Sequence, residues 1–390
     1  MRSEVLRFSG RKRDRAMGAP ATEFASAMLV LTISLVPLTG LMTVVTPFLM
    51  RRGEVFAVTV PDAAARDPYL RSLKRQYAIA MLGLTTILTA AGAWGACTQN
   101  PSLVLATLCA GTLLICACSY GLMLFFRAKV NAYKKERGWK AEAQESVAVV
   151  GDAPVPRAVS LKWNLLYIPV MAVTLLIGAV GYAQMPDLIP QHVNFQGEVT
   201  DYMEKSPFVI LAPVLIVAFM AACMAFSHWT ILRSKKPSDP GAPATSALAY
   251  GMFARAQSIL LVAGGLILSL LGPVMELAFI GVIGIAEAGV FVVVLALALV
   301  AGSIVISVVY GQGGARVFAR MGGSEKLLAD DDEHWKLGVF YLNPNDPSLF
   351  LPERFGIGWT VNWGRPAVWV IMAGGFALTV AFVVAVMVMM

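Results

Sequence analysis

The sequence predicts an all-α integral membrane protein of about eight transmembrane helices, with a small cytoplasmic β-containing module between the last two. Two observations carry that prediction. Of 390 residues, 57% are hydrophobic and only 14% charged, whereas a soluble domain carries about 25% charged residues. That is too little charge to clothe a water-exposed surface, which excludes a soluble enzyme, a disordered chain and a fibrous protein. The apolar residues also come in runs of roughly 20, the length a helix needs to cross a hydrocarbon core about 30 Å thick. Barrel strands would alternate apolar and polar residues, and these runs do not, so helix is the structure that satisfies the backbone in lipid.

The spans fall at 24–49, 77–96, 102–126, 164–182, 207–232, 258–280, 285–310 and 367–390. Pro37 and Gly40 are expected to kink the first, and Gly272-Pro273 the sixth. Ahead of them, 1–23 is a basic tail with Arg2, Arg7, Arg11, Lys12, Arg13 and Arg15. Such charge opposes an outside N-terminus, and a start at Met17 would remove it, so 1–16 reads as a non-native extension or an overcalled start. Residues 24–140 hold the first three spans and the basic 50–76 loop, and 141–163 reads as a linker. Residues 164–232 form a span pair around a polar loop. Residues 233–310 carry a Pro- and Ser-rich connector and two further spans. Residues 311–366 form the module, and 367–390 the last helix. The basic stretch after span three is expected at the headgroup level.

The net charge of +7 is concentrated in the 50–76, 127–163, 233–257 and 311–366 loops. That pattern is topology information, placing those loops in the cytoplasm and the 183–206 loop outside. It is not read as direct nucleic-acid binding. The bilayer is therefore the first partner the sequence implies.

The outer loop is the most pointed segment. Pro186 and Pro190 stiffen it, Asp187 and Asp201 make it acidic, His192 and Asn194 share one side of an extended chain, and Gly197 allows a turn. It reads either as a recognition loop for a cationic or amphipathic ligand, a peptide included, or as a rigid connector between two spans. Glu276 and Glu287 sit inside spans six and seven near the outer interface, where an ionisable residue defaults to a functional expectation. With His192 they could line one outward-facing polar cavity. His228 reads as interfacial rather than as a proton carrier.

In the module, Asp330–His334 reads as a solvated acidic lead-in, Leu337–Leu342 and Trp359–Trp363 favour strand, and Asn343–Pro347 favours a turn. Trp335, Tyr341, Asn343, Asp346, Arg354, Trp359 and Asn362 are the candidate partner-binding residues there, with a cytoplasmic regulator as the expected partner.

The pattern Pro186-Asp187-x-Ile189-Pro190-x-His192-x-Asn194-Phe195-x-Gly197-x-x-Thr200-Asp201 between two spans resembles the bacterial domain of unknown function 1648, over about 164–232. Phe56–Pro61 with Arg71–Tyr77 is similar to the loop after span one in longer relatives. Trp335–Pro347 with Arg354–Asn362 resembles the small domain of unknown function 5808. The resemblance is to SdpI-like membrane proteins. It implies a multi-pass protein of the bacterial plasma membrane, associated with immunity to secreted toxic peptides and with signalling from membrane to transcription. It transfers no catalytic residue.

Enzyme motifs are missing: there is no P-loop, no His-Glu-x-x-His and no Gly-x-Ser-x-Gly. No cofactor and no metal is expected. The five cysteines lie in or beside apolar runs and suggest no disulfide or metal pair. The leading expectation is a non-enzymatic receptor or immunity-type protein that senses or sequesters an extracytoplasmic ligand. The alternatives are a small secondary transporter coupled through Glu276 and Glu287, and a membrane-embedded enzyme of unrecognised type.

Overall fold

A computed structural model describes residues 34–50, 53–61, 64, 66–98, 100–140, 155–193, 199–236, 239, 242–321 and 330–389. The basic tail with Met17, the linker residues 141–154, and the loop residues Asn194, Gly197 and Glu198 lie outside the described residues. Seven helices are long and apolar enough to cross a membrane, and a shorter one, Ser34–Leu49 (α1), is the described part of the first span. Pro37 and Gly40 both lie within α1, which is continuous from Ser34 to Leu49.

Helix α2, Pro68–Cys97, starts well before the apolar run because its start is set by a cap. The Asp67 carboxylate accepts from the Tyr69 and Leu70 amides and Pro68 occupies the first turn. Asn100 caps α3, Pro101–Ala106, which passes through a π-turn at Thr107–Gly111 into α4, Thr112–Glu136. Leu70, Leu73, Tyr77 and Met81 recur at spacings of three and four, so they form one face of α2. That face packs on Ile115, Met123, Phe126 and Val130 of α4. Tyr77 Oη and Ser119 Oγ satisfy each other at 2.6 Å inside this core. The basic residues after span three continue the same helix, with Lys134 and Lys135 in the last turn of α4.

The second helix group begins with α5, Tyr167–Gly181, and α6, Leu211–Arg233. Between them runs an antiparallel hairpin of β3, Leu188–Val193, and β4, Val199–Glu204. Helix α7, Pro243–Ser269, starts within the expected connector, and at Leu270 it gives way to α8, Leu271–Ile280. The break falls where Pro273 would clash with the Ser269 carbonyl and leave it without a donor. Helices α9, Ile285–Tyr310, and α10, Ala315–Arg320, follow, and α11, Pro366–Met389, packs mainly on α6.

The module is a set of two-stranded ladders. Strands β1, Glu54–Val55, and β2, Val58–Thr59, belong to the 53–61 loop. Between α10 and α11, β5, Trp335–Lys336, pairs with β6, Phe340–Tyr341, and β7, Phe350–Pro352, pairs with β8, Trp359–Val361. Leu337–Val339 is thus a turn and not strand, with positive φ at Leu337 and Gly338.

The basic loops meet at one end of the helices, opposite the β3–β4 hairpin. The 53–61 loop, the end of α4, the α6–α7 connector and the end of α9 all contact the module there.

Candidate functional site

Helices α5 and α8 run side by side in the same direction, and small residues let them approach closely. A Cβ at Gly272 would meet Thr174 and Val217, and one at Gly178 would lie 2.6 Å from Glu276 Oε2. Glu276 is fully buried, and neither carboxylate oxygen has a hydrogen-bond partner. Leaving such a group ionised without a partner in low dielectric costs several kcal/mol or more. One turn further along the seam, about 5.4 Å, Ile280 closes against Gly181.

The hairpin completes the closure. Strand pairing sets Ile189 against Met203, and the pleat turns both toward the helices. With Met185 and Val209 they form a cluster with Phe279, against which Met275 and Ile280 pack. Glu276 is therefore sealed beneath an apolar cap, where an outward-open cavity was expected.

The other predicted loop residues lie on the solvent face of that cap. His192 and Asp201 are both exposed and 3.8 Å apart, an ion-pair geometry of little energetic worth at a surface. Pro190 pairs with Tyr202 beside a register shift, the kind of irregularity at which proline is tolerated within a ladder. Pro186 and Asp187 are exposed, and the Asp187 carbonyl accepts the Lys205 amide at 2.9 Å. Glu287 serves its own helix: it is exposed and accepts the Gly284 amide at 3.1 Å, capping α9. Neither His192 nor Glu287 hydrogen-bonds Glu276.

His228 is a fixed structural group. It is fully buried, with Nε2 2.9 Å from the Val159 carbonyl and Nδ1 3.0 Å from Asn164 Nδ2. Asn164 Nδ2 also donates to the Leu161 carbonyl, which sets the amide orientation, so the ring carries its proton on Nε2. The hydrogen bonds pin the 155–160 segment to α6.

At the opposite end, the densest polar cluster centres on Arg354, which is 2% exposed. Its guanidinium pairs with Asp331 and Asp332, lies 3.6 Å from Glu54, donates to the Ala57 carbonyl at 3.2 Å and stacks over Trp335. Burial works against its charge, and the carboxylates of Glu54, Asp331 and Asp332 more than restore it. Lys134 reaches Asp330 at 2.5 Å and Asp332 at 2.7 Å, and the Thr59 amide and hydroxyl also donate to Asp332. Burial would raise the Asp332 carboxyl, but Arg354 and these donors hold it down at about 2. The acidic run expected to be solvated is instead docked, because cations arrive from α4 and from its own module. Phe56 and Ala57, both with positive φ and fully buried, make the tight turn whose carbonyl Arg127 also grips.

The rest of the module is ordered by Asn362. It exchanges bonds with the Asn343 backbone at 3.0 and 2.7 Å and donates to the Asp346 carbonyl at 3.1 Å. Asp346 accepts from Tyr341 Oη at 3.0 Å and from Lys235 at 2.6 Å. Gln312, fully buried at the end of α9, bonds the 353–358 loop three times. Trp335, Tyr341, Asp346, Arg354 and Asn362 are thus buried, while Asn343 and Trp359 are half-buried. Residues that sequence reasoning passed over are Gly178, Asn164, Gln312, Lys235, Lys134, Thr59 and Glu54. Only their partners, distant in sequence, distinguish them.

Among the described residues no group of three or more His, Cys, Asp or Glu side chains could hold a metal ion, and the five cysteines are free thiols. Long apolar helices, a hairpin at one end and a small β module at the other define the class: a multi-pass membrane protein. Family comparison matches residues 170–217 to the domain of unknown function DUF1648 and residues 344–369 to the family of unknown function DUF5808. The two matched segments are the hairpin with its flanking helices and the end of the module with the start of α11. Comparison with curated proteins and with solved structures returns no match.

Proposed function

We propose that the protein is a non-enzymatic receptor or immunity-type membrane protein that takes an extracytoplasmic, cationic ligand, a peptide among them. The hairpin is the receiving surface and Glu276 the group it uncovers. One observation carries this reading: a fully buried carboxyl without a hydrogen-bond partner lies directly beneath a two-stranded cap. A cation reaching Glu276 would supply the charge partner that the packed helices do not, and low-dielectric walls would strengthen the attraction. The basic loops at the opposite end support an outward orientation of the cap. The module, tied to both helix groups, would pass the change to a cytoplasmic regulator through the surface around Asn343.

A strain lacking the protein, challenged with secreted cationic peptides, tests the reading. Wild-type protein should protect or signal, and Glu276→Gln, expressed to the same level in the membrane, should not. If Glu276→Gln and His192→Ala both match wild type, the hairpin site is scaffold. The transporter reading shares Glu276 but not Glu287, whose carboxylate is engaged in a helix cap. Proton-coupled flux in proteoliposomes that Glu276→Gln abolishes would favour it.

A further inference from the structure

At the module's end of the membrane, α6 and α11 splay apart. Deeper in the bilayer they touch through Phe219 and Phe382, stacked at 4.1 Å. Toward the module they diverge around β7 and β8, leaving a cavity of about 220 Å³. Phe226, Phe350, Trp359, Val361, Val368 and Met372 line it, and its lining is mostly apolar. The stretch from its wall to the start of α11 carries three buried donors with no hydrogen-bond partner: Trp359 Nε1, Trp363 Nε1 and Arg365 Nε. Buried donors left unpaired in a native protein call for an acceptor. Cations flank the same place. Arg233 follows Phe226 and Thr230 at helical spacing, which puts it on the cavity's face of α6, and it is exposed. Arg365 immediately precedes α11 and spends one donor on the Pro344 carbonyl at 3.0 Å. Neither arginine has a carboxylate partner among the described residues.

An apolar slot with the unpaired Trp359 side chain in its wall and two arginines on the adjoining chain matches one molecule in its surroundings. We propose that this cavity binds a membrane phospholipid with an anionic headgroup. An acyl chain fills the slot between α6 and α11. An ester carbonyl, which only accepts, takes the Trp359 N–H, and the phosphate sits between Arg233 and Arg365. The site is independent of the hairpin and Glu276. The bound lipid would join β7 and β8 to the two helices, so the module's seating depends on the leaflet it touches.

The full chain, stripped of lipid in detergent, can be exposed to phosphatidylglycerol or to phosphatidylcholine with the same chains, and the retained lipid read by native mass spectrometry. The expected result is one phosphatidylglycerol per chain, retained roughly tenfold better than phosphatidylcholine, the worth of one hydrogen bond to a charged group. Met372→Trp, which fills the slot from a half-exposed position, should remove it. Trp359→Phe and Arg365→Gln, which keep the packing, should each weaken retention severalfold at an unchanged melting temperature. Equal retention of both lipids by the wild type would mean a non-selective annular lipid and overturn the proposal. So would wild-type retention by both Trp359→Phe and Arg365→Gln, which decides the matter even if Met372→Trp misfolds.

Discussion

Glu276 holds its place because residue 178 has no side chain. A methyl group there would sit 2.6 Å from the Glu276 carboxylate, closer than packed atoms approach. Gly178→Ala should therefore lower stability by about 1–3 kcal/mol, the usual cost of overpacking, read by thermal unfolding in detergent. Glu276→Ala should relieve the clash, so the double variant should be more stable than the sum of the singles implies. Strict additivity would place Glu276 away from that seam. At this scale the sequence is an uneven guide. An acid inside an apolar run is conspicuous, so Glu276 stands out from composition alone. That Gly178 is its neighbour depends on two helices separated in the chain by the hairpin, α6 and α7. Glu287 stands out equally, yet it only caps α9, since three residues of helix geometry bring its carboxylate back to the Gly284 amide.

At the scale of elements, the module is the part most exposed to pH. Three carboxyl groups, one shifted up and two shifted down, set its window. Burial pushes Glu353 up to about 7 from an ordinary 4.5, so it binds a proton more readily folded than unfolded. Its contribution is fully present below about 4.5 and is lost as pH rises through 7. Asp332 is held at about 2 against an ordinary 3.8, and so is Asp346, where burial is outweighed by Lys235 and by donors from Ser348. Their contribution is present above 3.8 and lost as pH falls toward 2. The module should thus be best docked between those limits and loosen toward neutral pH and toward strong acid. Hydrogen exchange of the β5–β8 amides against pH checks this. Glu353→Gln should flatten the neutral-side slope and leave the acid side intact. The strands themselves were only partly legible. The Asn343–Pro347 turn follows from its Asn and Pro residues, but Leu337–Val339 reads as strand by composition and turns with positive φ at Leu337 and Gly338, where a Cβ on residue 338 would crowd Ala57 and Arg127. The docking of the acidic run is invisible locally, because Arg354 reaches Ala57 across 297 positions of chain.

For the whole molecule, the substantial helix packing falls into two groups, α2 to α4 and α5 to α9, and the module touches both. Arg354, Lys134 and Asp332 tie it to the first, while Gln312, Lys235 and the Ser234–Phe350 bridge tie it to the second. The rough limits of seven spans were legible because hydropathy is a local property with a threshold length. How the spans sort into groups was not, since α5, α6, α9 and α11 are apolar all round and show no preferred face. What remains is whether the hairpin is a cap that can open over Glu276. The most direct measurement places a cysteine at 276, in a chain whose five native cysteines are serine, and labels it in intact cells with a membrane-impermeant thiol reagent. With the hairpin intact the account predicts no labelling. With Ile189→Asp and Met203→Asp, which break the apolar seat of the hairpin, it predicts labelling from the outside. Labelling that is the same with and without those two substitutions would contradict it.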